Sequence, residues 1–475
     1  MKTLIRRLFI LFFCFISLLL IAQEKQSYKI DLKIKGLEDS VLYLANYYGD
    51  KTYLVDTAYR KGKYNYVFED KKNLDGGIYI VIGQEKNSIF DFLIADSQEL
   101  KFDSDMDNLV EKMKVKGSNE NALFFDYLAY SNLVFIELKA YQLRLKSLPK
   151  QNDSVQIIQE KIQNLNQDIL DYKEDIIEAY PDTFISHFFL AMKSPVAEQL
   201  KSTNRQDSIN AFRYFKKHYW DYFNFDDDRL IRTPIFHSKL EYYFNVMAHP
   251  TPDSLILEID DFLGRVPEKS ELFKHSLWHL TLKFDQSNMM GYDAILVHLT
   301  DNYYSKGKAP WLNIDVLNNL LTEADRRRNS LIGKQAPNLV MQSLDLNTIS
   351  LYSIDKEYII IYFWDPKCGH CKEETPKLSQ FYKQNAKKYD LEVFSVCADT
   401  NMQQMKTYIS DNKLDWINVN GTRSYTYDFH ELYNMYSIPF IFVLDKNKTI
   451  IAKQINSDQL ADFIKDYEIQ KEKKE

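Results

Sequence analysis

The sequence predicts a multidomain protein of three successive architectures: an N-terminal antiparallel β sandwich or barrel, an all-α middle domain and a C-terminal α/β domain. Three observations predict it. Apolar residues recur with period two from Tyr28 to about Gly117, and at three- and four-residue spacing from about Asn119 to Arg328. From Gly333 onward, strand-like and helix-like blocks alternate. A length of 475 residues suits two to four domains, each able to bury a core. The bounds expected are 1–22 for an export signal, 23–117 for the β-rich domain, 118–328 for the helical domain and 329–475 for the last.

The first segment is an address. Lys2, Arg6 and Arg7 precede an apolar run from Leu8 to Ile21, and Ala22 before Gln23 offers a cleavage point, although Leu20 is large for its place. The run is shorter than the roughly twenty residues that span a bilayer. An exported protein is expected, touching the membrane only through this segment if it stays uncleaved. Cys14 follows Phe12-Phe13 rather than the small residues of a lipoprotein signal, so it is expected to leave with the segment.

Period two then sets out the β-rich part. Tyr28 to Ile34 alternates and ends at Gly36; Val41 to Tyr48 follows. Thr52 to Tyr59 and Tyr64 to Phe68, joined by Arg60-Lys61-Gly62-Lys63, read as a hairpin, and Ile78–Ile82, Ile89–Ile94 and Leu100–Phe102 continue the series. Tyr and Phe raise the aromatic share to 14%. On such strands tyrosine covers a half-buried face more often than it binds a ligand.

The helical part follows. Leu123, Tyr127, Tyr130 and Val134 recur at three- and four-residue spacing, and so do Ile157, Ile158, Ile162, Leu165, Ile169 and Ile176. Pro149, Pro181, Pro195, Pro234, Pro250 and Pro310 punctuate seven to nine helices, with no fixed repeat. His275 and His279 have the i, i+4 spacing of metal ligands. Ser276 stands where a zinc protease needs Glu, however, and no third ligand is near in sequence, so packing or surface histidines are expected and no metal. The net charge of -7, with acids and bases interspersed and no basic stripe, excludes nucleic acid as a partner.

Chemistry enters in the last part. After Gly333-Lys334-Gln335-Ala336-Pro337 and a short hairpin (Leu339–Met341, Thr348–Leu351), Tyr358 to Phe363 is a buried strand. Asp365 and Pro366 break it after Trp364, and Cys368-Gly369-His370-Cys371 follows Lys367 to open a helix. Leu391–Ala398, Phe440–Asp445 and Thr449–Gln454 read as strands, Met402–Asn412 and Asp458–Tyr467 as helices. Strand, turn, Cys-x-x-Cys and helix is the layout of a dithiol redox site. Cys397 lies inside a strand, where a small buried residue is expected.

From Gly333 to Tyr467 the chain resembles the exported TlpA-like branch of thioredoxin-fold thiol-disulfide oxidoreductases. Gly333-Lys334-x-Ala336-Pro337, Phe363-Trp364, Cys368-x-x-Cys371-x-x-Glu374-x-Pro376 and Ile438-Pro439 carry the resemblance. Less specifically, the two upstream regions resemble domains that precede such thioredoxins in Bacteroidota envelope proteins. The resemblance implies a cis peptide before Pro439, a substrate-binding surface at Ile438, Pro439 and Trp364, and Glu374 as active-site acid. Two positions depart from it. Lys367 replaces the tryptophan before the first cysteine, and Tyr362 replaces the buried acid of thioredoxin, leaving Glu374 to handle the proton alone.

A thiolate attacks a disulfide. Cys368 at a helix N-terminus, beside Lys367, Lys372 and His370, is placed for a lowered pKa. Attack by Cys368, release by Cys371 and proton transfer to Glu374 make the expected cycle. Gly369, His370 and Lys367 tune it, and His370 leans toward the more oxidising disulfide isomerases. The expected function is reduction of protein disulfides in the periplasm or cell envelope. No cofactor is expected beyond the Cys368–Cys371 disulfide, and electrons come from an upstream membrane donor. Alternatives are an isomerase or oxidase of the same fold, or a ligand- or partner-binding envelope protein with an accessory redox domain. A zinc site of Cys368, Cys371 and Cys397 with His370 or His430 lacks a second close pair of ligands. A thiol peroxidase needs Thr or Ser where Asp365 stands.

Overall fold

A computed structural model describes residues 28–149, 154–195, 204–435 and 437–473. The expected export signal, Cys14 and Tyr436 lie outside the described residues. The chain divides into two compact units, residues up to 247 with 265–275, and 248–264 with 276–475. The helices between Asn119 and Arg328 are shared between them.

In the first unit, β1 (Tyr28–Lys35), β4 (Asn65–Asp70), β7 (Glu99–Asp105) and β8 (Lys114–Lys116) form one sheet in the order β4-β1-β7-β8. The second sheet takes the order β3-β2-β5-β6, from β2 (Val41–Tyr48), β3 (Lys51–Tyr59), β5 (Gly77–Ile82) and β6 (Ser88–Ile94). The inward residues Ile30, Leu32, Ile34, Leu42, Leu44, Phe68, Val81, Phe92 and Phe102 make one core. Tyr28, Tyr66 and Tyr79 are buried in it, so these tyrosines are packing residues.

Two expectations are corrected. β1 pairs with β7 in parallel, so one sheet is mixed. The stretch 52–68 is not a hairpin: β3 pairs with β2, whereas β4 pairs with β1 in the other sheet. The chain changes sheets around Gly62 and Tyr64, both at positive φ. Tyr66 and Phe68 then reach the core from β1's side. A turn signal marks a reversal but does not choose the neighbour; burial of the apolar face does.

Helix α1 (Asn119–Ser147) starts at Ser118, whose Oγ accepts from the Asn121 amide at 3.0 Å. The buried Asn121 side chain accepts from the Leu93 amide at 2.8 Å and donates to its carbonyl at 2.7 Å. It thereby continues the ladder of β6 as another strand would. Helices α2 (Ser154–Ala179), α3 (Phe184–Met192), α4 (Arg205–Lys217) and α5 (Pro234–Tyr242) complete this part. His275 is not isolated: His237 Nδ1 comes within 3.3 Å of its Nε2, a neighbour invisible in the local sequence.

In the second unit, α6 (Pro252–Arg265), α8 (Asp293–Leu299) and α9 (Ile314–Arg328) precede a seven-stranded sheet; α7 (Glu271–Asp285) runs through the boundary between the units. With α1 to α9, the helical region carries nine α-helices among the described residues. The buried Lys453 ion-pairs with Asp293 and donates to the Ser330 carbonyl at 2.9 Å, tying these helices to the sheet.

The sheet has the order β10-β9-β13-β12-β11-β14-β15. Its strands are β9 (Val340–Ser343), β10 (Thr348–Ser350), β11 (Tyr358–Trp364), β12 (Leu391–Cys397), β13 (Ile417–Ser424), β14 (Phe440–Asp445) and β15 (Ile450–Lys453). β11 runs parallel to β12 and antiparallel to β14. Helices α10 (Gly369–Asn385), α11 (Met402–Asn412), α12 (Phe429–Leu432) and α13 (Ser457–Glu472) accompany it. Separate apolar clusters cover the two faces, with Ile360, Tyr362 and Trp364 in one and Ile359, Ile361 and Phe363 in the other. All seven residues of β11 are therefore buried.

Candidate active site

Because β11 and β12 are parallel and in register from Tyr358 with Leu391 to Trp364 with Cys397, both end at the same edge of the sheet. The site is built there. Asp365 Oδ1 accepts from the Lys367 amide at 2.6 Å, and its carbonyl accepts from the Cys368 amide at 3.1 Å, so the break after Trp364 is a tight turn. Cys368 is the N-cap of α10. Its Sγ accepts from the Cys371 amide at 3.4 Å, one of the donors a helix leaves unpaired at its start.

The two cysteines differ sharply. Cys368 is half-buried and its thiol donates to the Ile438 carbonyl at 3.5 Å. Cys371 is fully buried, and both are free thiols. Burial, reinforced by the neighbouring Cys368 sulfur and only partly offset by a backbone hydrogen bond at Asp365, pushes the Cys371 thiol up to about 12. Burial likewise pushes Cys397 up to about 12 inside β12. The peptide bond between Ile438 and Pro439 is cis. The Ile438 carbonyl faces the Cys368 thiol.

Other residues singled out in the sequence sit as follows. Gly369 and His370 are exposed on the first turn of α10. Lys367 is exposed, but its Nζ lies 3.1 Å from Oδ1 of the nearly buried Asp399, which balances much of its charge. Trp364 is fully buried. Its Nε1 donates to Ser395 Oγ at 2.6 Å and its ring stacks on Tyr408 at 4.8 Å. It backs the site and offers no surface to a partner. Glu374 Oε1 accepts from the Ser457 amide at 2.5 Å, so this carboxylate also binds the start of α13.

Asp399, Ser395, Thr375 and Tyr408 were not singled out by sequence reasoning. Asp399 alone carried a signal, an acid two residues past the end of the strand beside β11. The β13 strand was also missed, because Ile417-Asn418-Val419-Asn420-Gly421 reads as a turn. Asn418 and Asn420 find buried partners in Ser395 and the Asp399 carbonyl, and a side chain at Gly421 would strike the Phe429 ring.

Residues 355–450 match the family model described as thioredoxin-like. This is a thioredoxin-like thiol-disulfide oxidoreductase domain. Residues 28–124 and 202–312 match two domains of unknown function, DUF4369 and DUF5106. Among curated proteins, the chain is 24% identical over 139 residues to the thiol-disulfide oxidoreductase ResA of Bacillus cereus, covering 29% of this chain and 76% of that one. Among solved structures, a domain of a possible thiol-disulfide isomerase from Cytophaga hutchinsonii is 38% identical, covering 30% of this chain and 97% of that one, with a TM-score of 0.29. A thioredoxin-like protein from Bacteroides caccae is 20% identical, covering 57% and 96%, with a TM-score of 0.44.

Proposed function

We propose that this oxidoreductase is exported and reduces protein disulfides in the periplasm or cell envelope through Cys368-Gly369-His370-Cys371. The observation that carries the reading is the asymmetry of the pair, an accessible sulfur at a helix N-terminus with a buried one behind it. A thiolate at Cys368 gains from the helix dipole and from the Cys371 amide. Cys368 attacks one sulfur of a substrate disulfide, the substrate S–S bond breaks, and the other substrate sulfur leaves with the electron pair and takes a proton. Deprotonated Cys371 then attacks Cys368 Sγ, releasing the second substrate thiolate and closing the Cys368–Cys371 disulfide. Two electrons have passed to the substrate, and an upstream membrane donor restores the dithiol. The Ile438–Pro439 edge is the surface for an extended partner segment, and Glu374 is the nearby carboxylate for the Cys371 proton. Residues 1–22 act as the export signal in this reading. No other cofactor takes part.

Equilibration in glutathione buffers tests the direction. A potential near roughly -270 mV fits a reductant, and one near roughly -180 mV an isomerase or oxidase. The second reading is kept because exposed His370 lies between the cysteines. Failure of Cys368 and Cys371 to form a disulfide at any poise rules out both.

A further inference from the structure

Behind Cys371 lies a chain of hydroxyls that the exchange steps above do not use. Tyr362 Oη on β11 is 2.8 Å from Thr375 Oγ1 on α10. Tyr408 Oη on α11 is 3.1 Å from the same Thr375 oxygen and 3.2 Å from the backbone carbonyl of Cys371. The carbonyl only accepts, so Tyr408 donates to it. Tyr408 Oη also donates to Thr375 Oγ1, which pairs in turn with the Tyr362 hydroxyl. The Tyr408 hydroxyl thus lies between Thr375 and the Cys371 carbonyl, and Tyr362 ties Thr375 to β11.

The location matters because α10 is weak there. Pro376 lies inside the helix and has no N–H to donate to the Lys372 carbonyl, so the turn carrying Cys371 lacks a ladder bond. Burial pushes Tyr362 far above the ordinary tyrosine range, so it does not accept the thiol proton as a carboxylate would. The titratable groups facing Cys371 are Cys368 and Asp365 from the turn, Tyr362 from β11 and Tyr408 from α11, with Glu374 one turn along α10.

We propose that Tyr362, Thr375 and Tyr408 are positioning residues for the resolving cysteine. By clamping the Cys371 carbonyl they hold its turn at the geometry from which Cys371 Sγ closes on Cys368 Sγ. The role rests on Cys368 attacking and Cys371 resolving, as proposed above. It predicts a split between steps. The clamp acts chiefly on ring closure, because its hydroxyls are bonded to the Cys371 carbonyl and Cys368 is reached only through the Cys371 amide.

The test uses the whole exported chain with Tyr408→Phe, which keeps the ring on Trp364, and Thr375→Val, which keeps the shape. A mixed disulfide of Cys368 with a chromogenic thiol reports resolution, alkylation of the reduced enzyme reports Cys368, and glutathione equilibration reports the potential. Resolution is expected to slow about tenfold in each variant. The potential is expected to rise by about 30 mV, the equivalent of a tenfold loss in ring closure. Cys368 alkylation should change by no more than about twofold, its contact with the clamped turn being one long amide hydrogen bond, and Thr375→Ser should restore resolution. Unchanged resolution and potential overturn the proposal, as does equal slowing of both steps or a Thr375→Ser that behaves like Thr375→Val. If Tyr408→Phe fails to fold, the Thr375 pair decides alone. Loss of dithiol exchange in the parent chain would instead remove the oxidoreductase reading itself.

Discussion

Strands β1 and β11 each begin a sheet's core, yet they treat polar groups in opposite ways. β1 alternates buried and exposed residues, and its outward lysines meet acids on β7, Lys33 with Asp103 at 3.2 Å and Lys35 with Asp105 at 3.1 Å. Those lysines are largely exposed, so water is always a second partner. β11 is covered on both faces, and its polar atoms have only protein to bond. Tyr362 therefore meets Thr375, and Trp364 meets Ser395. A strand of the first kind tolerates change. A strand of the second kind fixes side-chain geometry near its end, which is where a reactive pair needs it.

The contrast breaks first at Trp364. Trp364→Ala opens a cavity beside Tyr408 and Ser395 and should cost about 3–5 kcal/mol in chemical denaturation. A cost below about 1 kcal/mol would show that the covered sheet is no more demanding than the open one. Alkaline pH should also separate the two. Cys371 and Cys397 hold their protons more tightly folded than unfolded, so the stability they contribute is complete below the unfolded value of about 8.5. It is lost as pH rises toward their folded values of about 12. Melting temperatures from pH 7 to 10 should fall, and less steeply in Cys397→Ala. Equal slopes would exclude Cys397 from the effect.

A smaller effect is expected at Asp399. Asp399→Asn leaves Lys367 Nζ without its anionic partner, which should cost about 1 kcal/mol given that Lys367 is solvated. The freed charge should make Cys368 alkylate faster, and an unchanged rate would remove Lys367 from the tuning set. The smallest effect belongs to β1. Lys33→Ala should change stability by no more than about 0.5 kcal/mol, and a larger loss would mean that its pairing with Asp103 is a structural contact.

Much of this could be read from residue order. The apolar run 358–363, the cysteines at the start of α10 and the strands before and after them follow from local periodicity and from Asp365-Pro366. The β13 strand escaped because its inward groups are asparagines, whose partners Ser395 and Asp399 lie on and just beyond β12. The 52–68 stretch misled because a glycine turn looks the same whether the chain returns to its own sheet or crosses to the other. Glu374 and Lys367 were read by their charge, and what they bond, the Ser457 amide and Asp399, lies 83 and 32 residues away.

The sequence by itself determined the three architectures and the strand–turn–helix layout that carries the Cys-x-x-Cys, because each depends on neighbours along the chain. Only the tertiary structure decided which sulfur is accessible, what balances Lys367 and what holds Cys371. Those depend on which strands lie side by side and on polar groups that, once deprived of water, must bond whatever the packing brings within reach.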